Sequence, residues 1–164
     1  MRASIDSFGQ VRDLEMQTLR LAEQSGSLQE RWMQVFFGVA ACSWVPHWSC
    51  HYYRLETGSG FAVGSWQFSW LDSWFFMLVY CFLITSNLVS IVVAQARWIT
   101  ATVSGALHIV LGALHAYRIV APFRFEVFGY PWSQGASIRE AGLVLAFGVL
   151  CLWVAGRAAV SSTK

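Results

Sequence analysis

Charge is the scarcest thing in this chain. Only 12% of its 164 residues are Asp, Glu, Lys or Arg, against ~25% in soluble domains, while 56% are hydrophobic. The formal net charge is +2 and no basic stripe occurs, so nucleic acid is excluded as a partner. The four cysteines, Cys42, Cys50, Cys81 and Cys151, form no C-x-x-C, which excludes a thioredoxin-like pair or a zinc knuckle. Cys42 and Cys50 would stand about 12 Å apart along a helix axis, beyond the ~7 Å reach of a disulfide. The first thirty residues lack the apolar core of a secretory leader and are too acidic for a transit peptide, so the N-terminus is expected to be retained. Repeated carboxylates, a nucleophile with its base, and the glycine-broken helix pairs of transporters are also missing. No catalytic residue and no metal site is therefore expected.

What is present is oil. Four segments reach or approach the ~20 apolar residues that cross a bilayer: about Trp32–Cys50, Trp70–Ala94, Trp98–Ala121 and 141–158. The second is the cleanest, and the first carries Pro46 and His47 near its far end. The expected fold class is an all-α integral membrane protein. It would be a four-transmembrane-helix bundle over residues 27–164, preceded by an N-terminal amphipathic surface helix over 1–26. Four crossings place both termini on one side, with Arg2, Arg12, Arg20, Arg31, Arg97, Arg157 and Lys164. The opposite side holds Arg54, Arg118, Arg124 and Arg139. This excess predicts termini on the cytoplasmic or matrix side of a bacterial or mitochondrial inner membrane.

Helix starts are marked by acids three residues after a serine. Ser27–Glu30, Ser69–Asp72 and Ser137–Glu140 all have capping-box spacing, so Asp72 and Glu140 are expected as surface caps rather than intramembrane carboxylates. In the N-terminal segment Val11, Leu14, Thr18, Leu21, Ser25 and Leu28 form an apolar seam among charges. Ser25-Gly26-Ser27 is expected to interrupt that helix. It would lie on the membrane surface or dock a neighbouring subunit. The tryptophans Trp32, Trp98 and Trp153, and Trp44, Trp48, Trp66, Trp70, Trp74 and Trp132, fall near the two boundaries as an aromatic belt. The short Gln95–Arg97 turn makes spans two and three antiparallel neighbours. The two outer segments, 51–70 and 121–135, are too aromatic for free loops. They are expected to fold back on the membrane or against another protein.

One stretch stands out, GALHIVLGALHAYR at 105–118. Ala101, Gly105, His108, Gly112 and His115 advance by four, three, four and three, which makes one helix seam. Small residues let helices approach closely in a membrane, and imidazoles on that seam must face protein or a cofactor. Three readings stay open. The histidines could bond to neighbouring helices and specify packing. They could ligate a haem, with Arg118 meeting a propionate, or relay protons or bind an ion. His47 and His51 share a face at the outer end of span one and could approach His115.

The run His108-Ile-Val-Leu-Gly112-Ala-Leu-His115 resembles the H-x-x-x-G-x-x-H element in the cytochrome b anchor of succinate dehydrogenases. Ser27-x-x-x-Arg31 has the spacing of that family's quinone-site Ser and Arg. The resemblance implies haem b on His108. It departs at Leu114 and Ile119, where the family carries an arginine and an acid, and its haem helix is the second span rather than the third. The expected function is a non-catalytic accessory or anchor subunit of an energy-transducing membrane complex, partnered by other integral membrane subunits and the lipid bilayer. The alternatives are a b-type haem- or quinone-binding anchor using His108 and His115, and a small transporter or channel.

Overall fold

The computed structural model describes residues 3–162, so Arg2 and Lys164 of the charge argument lie outside the described residues. Four helices dominate: α1 (Ala3–Thr57), α2 (Trp70–Val92), α3 (Arg97–Val120) and α4 (Gln134–Ser162). Among the described residues, three helical stretches are long and apolar enough to cross a membrane: Trp70–Val92, Ala94–Val120 and Gln134–Val160. The expected first span lies within α1 and does not reach that apolarity, diluted as it is by Gln34, Pro46 and His47. The chain divides into two units, residues 1–36 and 37–164.

In the first unit the helix runs straight through Ser25-Gly26-Ser27, where an interruption was expected. Ser27 caps nothing; its hydroxyl donates back to the Gln24 carbonyl (2.8 Å). A serine inside a helix can satisfy itself this way, and one glycine costs only about 1 kcal/mol, so neither residue need end the helix. Leu14, Leu21 and Leu28 of the apolar seam are exposed.

The second unit departs from an all-α fold. The two outer segments form hairpins, β1 (Phe61–Val63) with β2 (Trp66–Gln67) and β3 (Phe125–Val127) with β4 (Tyr130–Pro131). They pair with each other into one antiparallel sheet of order β2-β1-β3-β4. A lone hairpin is marginally stable, and joining two yields four strands with short edges, one closed by Pro131. The first turn uses Gly64 at φ 63°, and the second puts both Phe128 (φ 59°) and Gly129 (φ 79°) in the left-handed region. Two positive φ values are what a type I′ hairpin turn needs. The phenylalanine tolerates the strain while its ring packs edge-on against Tyr53 at 4.8 Å.

The register exposes an internal duplication. Phe61 pairs with Val127 and Val63 with Phe125, about a centre at Ala62↔Glu126. Exchanging the hairpins leaves this pattern unchanged. The sequence carries the same relation at a constant offset of 64 residues. His51, Tyr53, Arg54, Phe61, Val63, Ser69 and Ser73 return as His115, Tyr117, Arg118, Phe125, Val127, Ser133 and Ser137. The end of α1 and all of α3 lead into the sheet, and α2 and α4 lead out of it, so the local two-fold relation of the strands joins two like-ordered halves.

Packing within the second unit is uneven. At the α3–α4 contact a Cβ on Gly112 would sit 2.6 Å from Leu145 Cγ and 3.0 Å from its backbone nitrogen. One on Gly105 would sit 2.9 Å from Leu152 and 3.0 Å from the Gly148 carbonyl oxygen. These glycines hold two backbones together, and Ala101 on the same seam is fully buried. The end of α1 instead meets its neighbours through large side chains. Trp44 is fully buried in a cluster with Tyr80 and Leu83, so it belongs to the core and not to a boundary belt. Trp66 lies in β2, whereas Trp70 and Trp74 stand on the first turns of α2.

The helix ends explain the remaining geometry. Ser69 and Asp72 make the expected reciprocal capping box on α2. At α4 the cap sits one turn earlier than expected: Ser133 Oγ accepts from the Ala136 amide (3.1 Å), and Ser137 is buried within the helix. At the far end of α2, buried Arg97 donates to the carbonyls of Ser90 (2.9 Å) and Ile91 (3.1 Å). Asn87 Nδ2 donates to Ser104 Oγ (3.0 Å), and the Ser90 hydroxyl donates to Thr100 Oγ1 (3.0 Å). The short turn thus joins two hydrogen-bonded neighbours, α2 and α3.

Candidate functional site

Each half of the duplicated unit builds the same polar device. In the first, Arg54 donates from one amino group to the Ser69 carbonyl (3.1 Å) and Ser73 Oγ (2.9 Å), and from the other to the Phe68 carbonyl. In the second, Arg118 donates to the Ser133 carbonyl (3.2 Å), to Ser137 Oγ (2.6 Å) and to the Trp132 carbonyl, while its Nε reaches the Phe123 carbonyl (3.0 Å). Both guanidiniums clamp the entry to the following helix, where free carbonyls and a hydroxyl converge. Arg118 is thereby committed to backbone and serine, rather than offered to a carboxylate.

Behind each arginine stands a histidine. His51 Nδ1 lies 3.4 Å from Ser73 Oγ, and His115 Nδ1 lies 3.4 Å from Ser137 Oγ. An arginine can only donate, so each serine oxygen accepts from it and keeps its own proton for the imidazole. When that proton is given to Nδ1, a neutral ring carries its own proton on Nε2. The same Arg–Ser–His arrangement thus occurs twice, with the two Nδ1 atoms at the same distance from their serines.

Both rings border a single cavity of about 390 Å³ beneath the sheet. Its walls are mostly rings and branched side chains: Phe61 and Phe125 from the strands, Phe68 and Trp132 at the helix entries, and Leu111 and Leu114 from α3. The polar exceptions are few. His47 donates from Nδ1 to the Ser43 carbonyl (3.3 Å), which leaves its Nε2 as an acceptor. Glu140, expected as a surface cap, is half-buried and lines the cavity with Cys50 and Tyr80. The Trp132 indole N–H is buried without a hydrogen-bond partner. His51 is clasped by rings, with Phe76 stacked on it at 5.4 Å and Phe61 at 5.2 Å. His115 lies 5.3 Å from Phe125, which also carries the Arg118 guanidinium at 5.7 Å.

The two seam histidines go to different places. His115 reaches the cavity with His47 and His51, as their positions at the outer end of the bundle suggested. His108 does not: it is buried between helices, its ring 4.1 Å from Trp44 and 4.9 Å from Phe147. Its Nδ1 donates to the Ser104 carbonyl (2.7 Å), and its Nε2 lies 3.3 Å from Ser43 Oγ. An axial bond to haem at His108 would sacrifice the Nε2 contact and the ring packing together. No group of three His, Cys, Asp or Glu able to hold a metal ion occurs among the described residues.

Sequence reasoning missed the Arg54–Ser73 and Arg118–Ser137 pairs and the cavity they frame. The signal was present as H-x-Y-R followed by F-x-V and S-x-x-x-S, twice. The nearer GALH heptad masked it. No family model, curated protein or solved structure matches the chain.

Proposed function

We propose that this protein binds a lipid-soluble small molecule in the cavity beneath its sheet, in the membrane-spanning body of the chain. One observation carries the reading: a ring-lined cavity of about 390 Å³ into which two copies of the same Arg–Ser–His relay converge. The volume falls in the range of small-molecule sites, and apolar walls with a few placed polar groups are the usual make-up of such sites. The Trp132 indole N–H, buried at the cavity wall without a hydrogen-bond partner, is a donor that a bound molecule would satisfy. The test is to purify the full chain in mild detergent and identify small molecules that co-elute by mass spectrometry of the organic extract. Replacing Leu111 with Trp, which fills the cavity from α3, should remove the bound species while the protein remains folded. Retention of the same species by that variant would defeat the reading.

A second reading is that the chain serves as a non-catalytic subunit of a larger membrane complex. The exposed leucines of the first unit, Leu14, Leu21 and Leu28, support it, because charges of both signs around them disfavour simple lipid attraction. Native mass measurement of the solubilised protein tests it: added protein mass that disappears when all three leucines become serine is the expected result.

A further inference from the structure

We infer that the occupant is a neutral, flat ring carrying hydrogen-bond-accepting oxygens on opposite edges, the chemistry of a quinone head group. The inference rests on the ligand-binding reading above and specifies what the cavity selects.

Three features point to this class. The local two-fold axis relates His51 to His115, so the cavity offers two equivalent groups rather than one. With each serine accepting from its arginine and giving its own proton to Nδ1, both rings present an Nε2–H donor, and the pair matches two acceptors. The walls around the donors are aromatic faces, which favour a planar partner. Charge excludes the common alternatives. Neither arginine belongs to the cavity wall, since both aim their amino groups at carbonyls and serines instead, whereas Glu140 does line it. A fatty carboxylate or a phospholipid phosphate would meet no lysine or arginine in the cavity wall and would meet a carboxylate. A neutral ring would not.

The experiment uses the full chain in mild detergent and follows its tryptophan fluorescence, since Trp66 and Trp132 border the cavity. The probes are decyl-benzoquinone, decylbenzene and decanoate, which share one tail and differ in head group. Saturable quenching by decyl-benzoquinone is expected. Decylbenzene should displace it only at concentrations at least tenfold higher, and decanoate not at all. His51→Phe and His115→Phe should each weaken quinone binding about tenfold, with little change for decylbenzene. His51→Gln, which restores an N–H donor, should recover most of the loss and separates a lost donor from a misfolded helix. Equal binding of quinone and decylbenzene, unchanged in both Phe variants, would overturn the two-donor inference and leave the lipophile-binding reading intact. Absence of binding by any probe would defeat both.

Discussion

The two halves of the second unit share a roof but not a frame. Around the sheet they repeat the same polar residues: His51 and His115, Arg54 and Arg118, Ser73 and Ser137. Away from it they diverge. Gly105, Gly112 and Gly148, which let α3 and α4 touch, correspond by position to Ala41, Trp48 and Ile84 in the first half. His108 corresponds to Trp44, and the two counterparts pack against each other at 4.1 Å with their rings tilted by 48°. One helix pair is drawn together by missing side chains, and the other is spaced by large ones. The comparison teaches which constraint is strict. A serine, a histidine and two carbonyls around a guanidinium tolerate little change in distance, whereas helix spacing can be met by many combinations of volume. The unequal frame also makes an otherwise symmetric cavity one-sided, with Glu140 where the first half has Phe76.

Breaking the frame should have the largest effect. Gly112→Leu forces a side chain into the Leu145 backbone, and a loss of about 3 kcal/mol or more is expected in thermal or denaturant unfolding of the detergent-solubilised protein. The counterpart change Trp48→Leu, at a half-buried position spaced by bulk, should cost far less. Equal effects would mean that the two helix pairs are packed alike.

Removing a clamp comes next. Arg118→Met and Arg54→Met each strand buried carbonyls and a serine, with an expected loss of roughly 2–4 kcal/mol in the same assay. Arg118 should matter more, because its Nε also bonds Phe123 while Arg54 Nε has no partner. A larger loss at Arg54 would contradict the ranking.

The turns give the smallest and most diagnostic contrast. Gly64→Ala places a side chain at φ 63° and should destabilise by about 1 kcal/mol. Phe128→Gly relieves the same strain but forfeits the Tyr53 ring contact, so its net change should lie within about 1 kcal/mol of zero. A severe loss from Phe128→Gly would show that the ring does more than fill space beside Tyr53.

How much of this was legible depends on the length of the signal. Helices α2, α3 and α4 carry long apolar runs, and the Ser69–Asp72 cap reads directly. The strands are two or three residues long, too short for alternation to register. Ser27–Glu30 and Ser137–Glu140 have the spacing of a cap without its geometry. The first is satisfied inside a helix, and Ser137 is bound by an arginine nineteen residues earlier. His115, His47 and His51 could be singled out as polar groups in oil. Their serine and arginine partners could not, because the contacts cross from one helix to the next and only a repeat spaced by 64 residues betrays them.

The shared roof is tested most directly by a crosslink at its centre. Ala62 and Glu126 face each other across the two hairpins, at the ~4.5–5.5 Å Cα separation of antiparallel neighbours, within disulfide reach. In a variant with the four native cysteines changed to serine, Ala62→Cys with Glu126→Cys should oxidise to an intramolecular disulfide, detected by peptide mass spectrometry. Oxidation should fail for the offset pair Ala62→Cys with Tyr130→Cys. Crosslinking of the offset pair, with none at the centre, would contradict the two-fold arrangement on which the cavity depends.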